Sequence, residues 1–432
     1  VHFVLASYGT RGDVEPCAAL GRELASRGHE LRMAVPPNLV GLCESAGLNA
    51  VAYGSDSQAT LQSDFFQNLW KGFPRNLFTR ELARSWRETI STVEKHWPEL
   101  TRTLASLADE ADLLLSGHIY EHVAANVAEY HGIPFATLHP IPLRPNGQWI
   151  PCLPPPVVRS GLHVLDWMNW LGIKKLEARQ RSELELPRAT IPATRRIAER
   201  GSLEIQAFDA ICYPGLAAEW ARWQDQRPFV GALTMGLSTD DDEDVASWIA
   251  AGTPPIYFGF GSMPTKSPDD TIAMITAACA ELGERLLVCS GCNDFEQVAS
   301  SAEVKVVNAV SHPSVFPACR AVVHHGGAGT FAASLRAGVP SLILWSHTDG
   351  QVFGAHLKRM GVGTARRFSA TNAETLAADL RKILAPQYVA QAQEIASRMT
   401  KPADSVAIAA DLLEKWACTG RTGGNPSGDL RR

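Results

Sequence analysis

The sequence predicts an α/β protein made of two successive parallel-sheet domains, and three observations carry that expectation. Short apolar, β-branched runs alternate with stretches of helical periodicity from the first residues onward, the rhythm of strand-helix-strand units. With 432 residues, 45% of them hydrophobic and 20% charged, the chain can bury two ordinary cores. The rhythm also changes character around residues 227–252 and then starts again at Ile256.

Taken in order, His2 to Ala6 reads as a strand, Asp13 to Arg27 as a helix and Glu30 to Val35 as a second strand. Further strands are expected at Val51, Ala111 to Leu115 and Phe135 to Leu138. Between them Leu82, Trp86, Ile90, Val93 and Trp97 recur at three- and four-residue steps, so they share one helical face that is expected to be core. The second series runs through Ile256 to Phe260, Leu286 to Cys289, Val304 to Val307, Ala321 to Val323 and Ser341 to Trp345, with a helical pattern at Ala373 to Leu384. This divides the chain into a first domain (1–232), a linker (233–252), a second domain (253–400), a C-terminal helix (401–418) and a tail (419–432). The tail, rich in glycine and arginine, is expected to be disordered. Asp240 to Asp244, five acids in a row inside the linker, read as a solvated surface rather than a metal site.

Composition removes several classes of function. A net charge of −5 and the lack of any basic-aromatic repeat exclude a nucleic-acid module. No apolar run is long enough to cross a bilayer, and the first residues read as a strand rather than a leader, so a soluble, cytoplasmic protein is expected, with contact at the inner face of the plasma membrane compatible. Nine cysteines, an odd number spread over predicted elements, argue for reduced thiols. Cys289 and Cys292 have no second pair beside them and read as structural.

The most informative stretch is His324-His325-Gly326-Gly327-Ala328-Gly329-Thr330, which links a short apolar strand to a helical pattern from Phe331 to Ala337. Backbone N–H groups at a helix start are unpaired, and glycines let an anion approach the main chain. Two histidines add side-chain donors that suit a diphosphate leaving group. A glycine-rich turn with hydrogen-bonded, buried histidines is the plainer alternative. At the other end of the chain, Gly9-Thr10-Arg11-Gly12-Asp13 follows the first strand, which puts Asp13 at the crevice where open α/β sheets bind ligands. The helix start and Arg11 should favour its ionised form, ready to accept a proton. A capping carboxylate that only satisfies backbone N–H groups is the other reading.

The block from His324 to Gly363, with Asp349-Gly350-Gln351 at the end of its second strand, resembles the donor-binding signature of nucleotide-sugar-dependent glycosyltransferases. The resemblance is to the GT-B fold of family 1, in the bacterial branch of antibiotic, sterol and mycobacterial glycopeptidolipid glycosyltransferases. The loop Gly9 to Pro16 resembles the acceptor-side loop of the same branch, where an aspartate is taken as the general base; that position is Asp13. The resemblance implies two Rossmann-like domains facing across a cleft, with the last helix crossing back to the first domain. By the same resemblance, His325, with His324, Gly327, Gly329 and Thr330, would hold the donor diphosphate, and Ser262 would reach a phosphate oxygen. Asp349 and Gln351 would meet the donor sugar, and Ala309 and Val310 would lie at the nucleobase. Many relatives read Asp-Gln where Gly350 here separates Asp349 from Gln351. Ala333 stands where plant relatives carry a ribose-binding glutamate, so dTDP and UDP donors are both allowed. No metal or other cofactor is implied.

Acceptor choice falls to the first domain. Phe65, Phe66, Trp70, Phe73 and Phe78 lie among basic residues, and Trp149 to Pro156 with Trp167 and Trp170 form a second aromatic stretch. Phe66, Trp70, Phe73 and Trp149 are the acceptor-loop candidates, and completion of the core is the competing role for each. The expectation is an inverting, metal-independent transferase moving a sugar from a dTDP- or UDP-sugar to a hydroxyl of a hydrophobic acceptor such as a glycopeptidolipid. Sterol or natural-product acceptors, a non-catalytic nucleotide-sugar-binding partner, and a sugar epimerase are the alternatives.

Overall fold

The computed structural model describes residues 1–57, 80–261, 263, 265, 267–293, 295, 301–346 and 348–420. Both halves are the expected parallel domains. In the first, β1 (His2–Ala6), β2 (Glu30–Val35), β3 (Ala50–Ala52), β4 (Leu113–Gly117), β5 (Phe135–His139) and β6 (Leu203–Gln206) pair in the order β3-β2-β1-β4-β5-β6. Its principal helices are α1 (Arg11–Ser26), α2 (Arg80–Ala108), α3 (Glu121–His131) and α4 (Pro155–Glu183). Alternate residues of β1 serve opposite layers, as the two-residue period requires. Phe3 and Leu5 meet Leu20 and Leu24 of α1, whereas Val4 and Ala6 face Leu100 and Leu104 of α2 and Val127 of α3. Trp97 and Val93 also belong to that second layer.

The second domain contains α5 (Asp242–Ala250), β7 (Ile256–Gly259), α6 (Pro268–Leu282), β8 (Leu286–Cys289), β9 (Val304–Val307), β10 (Ala321–His324), α7 (Ala328–Arg336), β11 (Ser341–Trp345), α8 (Thr348–Met360), β12 (Gly363–Arg367), α9 (Ala373–Ile383), α10 (Pro386–Ser397) and α11 (Pro402–Gly420). Its sheet order is β12-β11-β10-β7-β8-β9, the same winding as the first. Strand order therefore reverses between β1 and β4 and again between β7 and β10. Doubly wound sheets bind ligands at such switch points, beyond the carboxyl ends of the strands.

The acidic stretch differs from its expectation. Asp242 starts α5 and accepts from Thr239 N (2.9 Å), Thr239 Oγ1 (2.8 Å) and Ser311 N (2.8 Å), while Asp244 pairs with Lys305 at 2.6 Å. Carboxylates are stabilised at a helix start, so the run builds a helix instead of a merely solvated surface. Val245 and Ile249 then pack against Tyr257, Leu287 and Phe316 of the second domain.

Three devices join the domains. A shared apolar cluster brings Phe208, Tyr213 and Trp220 against Phe331, Phe353 and Leu357. Arg336 at the end of α7 donates to Ala232 O (2.7 Å) and Ser405 Oγ (2.8 Å). α11 then returns to the first domain, where Ala409, Ala410 and Leu413 enter the α1 core. Arg27 pairs there with Asp411 (2.6 Å) and Glu414 (3.0 Å), and Trp416 Nε1 donates to Phe135 O (3.1 Å). Inside the first domain, Arg144 is buried between Glu121 (2.7 Å) and Glu204, which also receives Arg227 at 3.1 Å. That pairing fixes the segment leading into α4.

Candidate active site

At the first switch point, Asp13 occupies the third position of α1. Its Oδ2 accepts from Thr10 N at 2.7 Å and from Thr10 Oγ1 at 2.9 Å, and Ser7 Oγ donates to its carbonyl at 2.9 Å. The capping role is therefore real, but it occupies one carboxylate oxygen. Oδ1 faces His118 Nε2 at 3.9 Å across the crevice, with both side chains 21% exposed. Arg11, expected to support Asp13, donates instead to Glu15 Oε2 at 3.0 Å, because residues four apart share a helix face. Pro16 has no N–H, so the Gly12 carbonyl lacks its helix partner at the first turn.

His118 carries no local sequence signal. It follows Gly117 at the end of β4, and only the pairing of β4 beside β1 brings it to Asp13. Beyond it, Tyr8, Tyr53 and Tyr120 form a ring cluster with centroid separations of 4.9 and 6.4 Å from Tyr120. Trp97 and His122 continue it at 4.8 Å. Tyr120 holds a left-handed backbone, φ 64°, unusual for a bulky side chain. Tyr53 Oη, Trp97 Nε1 and His122 Nε2 are buried without hydrogen-bond partners among the described residues. Buried polar atoms normally have partners, so this group is poised for a ligand's polar atoms.

At the second switch point, His325 lies between two glycines. A Cβ on Gly261 would stand 2.6 Å from its Cε1, and one on Gly327 would stand 2.8 Å from its Nε2. Only glycine at both positions lets the imidazole rest there. Gly327 also caps α7 in extended geometry and brings no side chain to bond the first-turn N–H groups. A Cβ on Gly329 would meet nothing within 4 Å, so the helix start is open. Thr330 sits in the same turn and is partly buried.

His324 is buried, and its Nδ1 accepts from Gly326 N at 3.2 Å, which leaves the ring proton on Nε2. Burial, with His325 and His312 adding to it, pushes its pKa well below the ordinary histidine value. His312 stacks on Phe316 at 4.3 Å, and burial lowers its pKa to about 4. Glu15 and Arg11 of α1 also act on His312, so the two switch points face each other. A pocket between the domains is lined by Gly12 and Pro16 from one side and by Ala328 and Gly329 from the other.

The remaining candidates are dispersed. Asp349 and Gln351 are exposed in the first turn of α8, roughly 200° apart around the helix axis. Gly350 is inserted for a steric reason: a Cβ there would lie 2.8 Å from both His325 O and Trp345 Cβ, and a Cβ on Gly326 would lie 2.5 Å from the Gly350 Cα. Gly350→Ala is expected to push α8 away from the His325 loop, destabilising the fold by about 1–3 kcal/mol and weakening donor affinity. Calorimetric Kd values and thermal midpoints check this. Ala309 O accepts from Thr239 Oγ1 at 3.3 Å, so this segment is tied to the start of α5; Val310 packs at the edge of the same core. Trp149 is turned to the domain seam, edge-on to Phe353 at 5.8 Å, and His356 Nε2 meets its carbonyl at 3.1 Å. Ser262, Phe65, Phe66, Trp70, Phe73 and Phe78, with the side chains of Leu82 and Trp86, lie outside the described residues.

Burial also lowers the His356 pKa to about 4, against the raising influence of the Trp149 carbonyl. The unfolded chain protonates both His312 and His356 near 6.5, so between that pH and about 4 it binds more protons than the folded one. Their contribution to stability is complete above about 6.5 and is lost as pH falls toward 4. Thermal unfolding across that window is expected to show the decline, and His356→Gln, which keeps a donor for Trp149, is expected to flatten it.

Two Rossmann-like domains that meet at their switch points define the GT-B architecture. The crystal structure of the kitacinnamycin glycotransferase superposes with a TM-score of 0.70 at 16% identity, covering 96% of this chain and 99% of that one. The structure of the glycosyltransferase VinC in complex with dTDP gives 0.65 at 17% identity, covering 98% and 100%. Residues 3–106 match the glycosyltransferase family 28 N-terminal domain, and residues 259–414 match the C-terminal domain of erythromycin biosynthesis protein CIII-like proteins. An uncharacterized glycosyltransferase of Mycobacterium tuberculosis (strain ATCC 25618 / H37Rv) is 58% identical over 418 residues, 96% of this chain and 99% of the relative. A sterol 3-beta-glucosyltransferase of Arabidopsis thaliana is 28% identical over 432 residues, 94% of this chain and 66% of the relative. The chain belongs to the family 1 glycosyltransferases of the GT-B fold, and it is an enzyme related to the antibiotic and sterol glycosyltransferases.

Proposed function

We propose that the protein moves a sugar, with inversion and without a metal ion, from a dTDP- or UDP-sugar to a hydroxyl of a hydrophobic acceptor of the glycopeptidolipid or related glycolipid type. One observation carries this reading: Asp13 with His118 stands at one switch point and His325 with the open start of α7 at the other, and their neighbours Gly12, Ala328 and Gly329 line one pocket between the domains. In this scheme the acceptor oxygen attacks the anomeric carbon, its proton passes to Asp13 Oδ1, and the bond from that carbon to the diphosphate oxygen breaks. His118 orients the attacking hydroxyl beside Asp13. The departing charge is received by His325 and the α7 N–H groups. The acceptor body lies along Tyr8, Tyr120 and the unpartnered polar atoms of Tyr53, Trp97 and His122.

The dTDP bound by VinC and the mycobacterial sources of its relatives support the donor and acceptor classes. A thermal-shift panel of dTDP-, UDP- and GDP-sugars tests the donor. A true donor at about a hundredfold excess over its Kd adds about 2.7 kcal/mol of stability. Stabilisation by none of them, or by GDP-sugars alone, would overturn the donor assignment, and product analysis with envelope lipids against sterols tests the acceptor.

A further inference from the structure

Among the described residues ten large hydrophobic side chains are exposed, and six of them lie between Leu153 and Leu171. Leu153, Val157, Val164, Leu165, Met168 and Leu171 are each 43–59% exposed. The other four are scattered singly, so this cluster calls for a partner while they do not. At 100° per residue, Val157, Val164, Met168 and Leu171 of α4 fall within a sector of about 60°, with Lys175 in line with them. Gly161 lies beside that sector, where a Cβ would meet nothing within 4 Å.

The charges on α4 are sorted as well. Asp166 and Glu177 point the opposite way: Asp166 accepts from Thr194 at 2.8 Å, and Glu177 is buried between Trp170 Nε1 (2.8 Å) and Arg196 (2.5 Å). Arg159 lies on that same side and is taken by Glu219 at 2.7 Å, which leaves Lys174 and Lys175 as the charges beside the apolar ridge. Lys174 lies over the Trp170 ring at 4.6 Å. The first exposed acid of the helix is Glu183, and Arg179 pairs with it at 3.0 Å. A second copy of the chain docked here would bring lysines to a face that offers no carboxylate. An anionic bilayer offers both partners, acyl chains for the apolar ridge and phosphates for the lysines. No helix among the described residues is long and apolar enough to cross a membrane, so this contact lies on the surface of the bilayer.

We propose that the exposed face of α4, from Val157 to Lys175, is a docking surface for an anionic lipid bilayer. The apolar ridge enters the headgroup boundary, and Lys174 and Lys175 sit against the lipid phosphates. This inference does not depend on the transfer scheme, since Asp13, His118 and His325 take no part in it.

Flotation of the full chain with vesicles tests it. Binding is expected to vesicles of phosphatidylcholine with about 30% phosphatidylglycerol and to be much weaker to phosphatidylcholine alone, and it should fall as salt rises past about 0.5 M. Val164→Ser, Met168→Ser and Leu171→Ser together are expected to lower partitioning at least about tenfold with an unchanged thermal midpoint. Lys174→Glu with Lys175→Glu, a separate surface change, should abolish the preference for phosphatidylglycerol. Wild-type protein that ignores both vesicles, or charge-reversed protein that binds them equally to wild type, overturns the proposal. So does a wild-type dimer in the ultracentrifuge that the triple serine variant converts to monomer.

Discussion

Replacing Asp13 with asparagine is expected to lower kcat by about a hundred- to ten-thousandfold while leaving donor affinity nearly unchanged. The geometry makes the substitution informative. An asparagine oxygen can still accept from Thr10 N, the bond that Asp13 Oδ2 makes at 2.7 Å, so the start of α1 stays capped. What disappears is the second oxygen, facing His118, that can take a proton. Asp13→Ala would remove cap and base together and lose about 0.5–2 kcal/mol of stability besides. Nucleoside diphosphate release with acceptor, set against donor binding by calorimetry, separates the two functions. Unchanged turnover in Asp13→Asn would remove Asp13 from the chemistry.

The second large effect is expected at His325. His325→Ala should weaken donor binding and lower kcat together, by about a hundred- to a thousandfold in rate, because a donor group aimed at developing charge is lost. Gly261 and Gly327 hold the ring from both sides and cannot supply another side chain in its place. The contrast with Asp13 is diagnostic: one variant spares donor affinity and the other does not. A His325→Ala enzyme altered only in its affinity for the acceptor would place the diphosphate elsewhere.

Most strands were legible in sequence because parallel strands covered on both faces are continuous apolar runs, and β1, β8 and β11 read that way. The misses have particular causes. β6, Leu203–Gln206, hides because Glu204 and Gln206 are buried polar residues, Glu204 being satisfied by Arg144 and Arg227. β12 lies at the sheet edge and carries Arg366 and Arg367, so its pattern is that of a loop. α4 shows apolar residues on both faces, which blurred its period. The acids of 240–244 looked like solvent-facing linker until Ser311 and Lys305 appeared as their partners. His325 and the glycines were legible as a junction, since local order alone encodes a strand, a tight turn and a helix start. His118 was not, because its meaning comes from β4 lying beside β1, a relation between distant segments.

The closing helix has a consequence for how the protein is made. α11 supplies Ala409, Ala410 and Leu413 to the core under α1, so the first domain is finished by residues that follow the whole second domain along the chain. During synthesis its amino-terminal portion must wait with an uncovered greasy groove while the whole second domain emerges and folds. Such long-range closure is slow and prone to aggregation. Emergence of α11, rather than of any earlier segment, is the event that lets the nascent chain close into a working transferase.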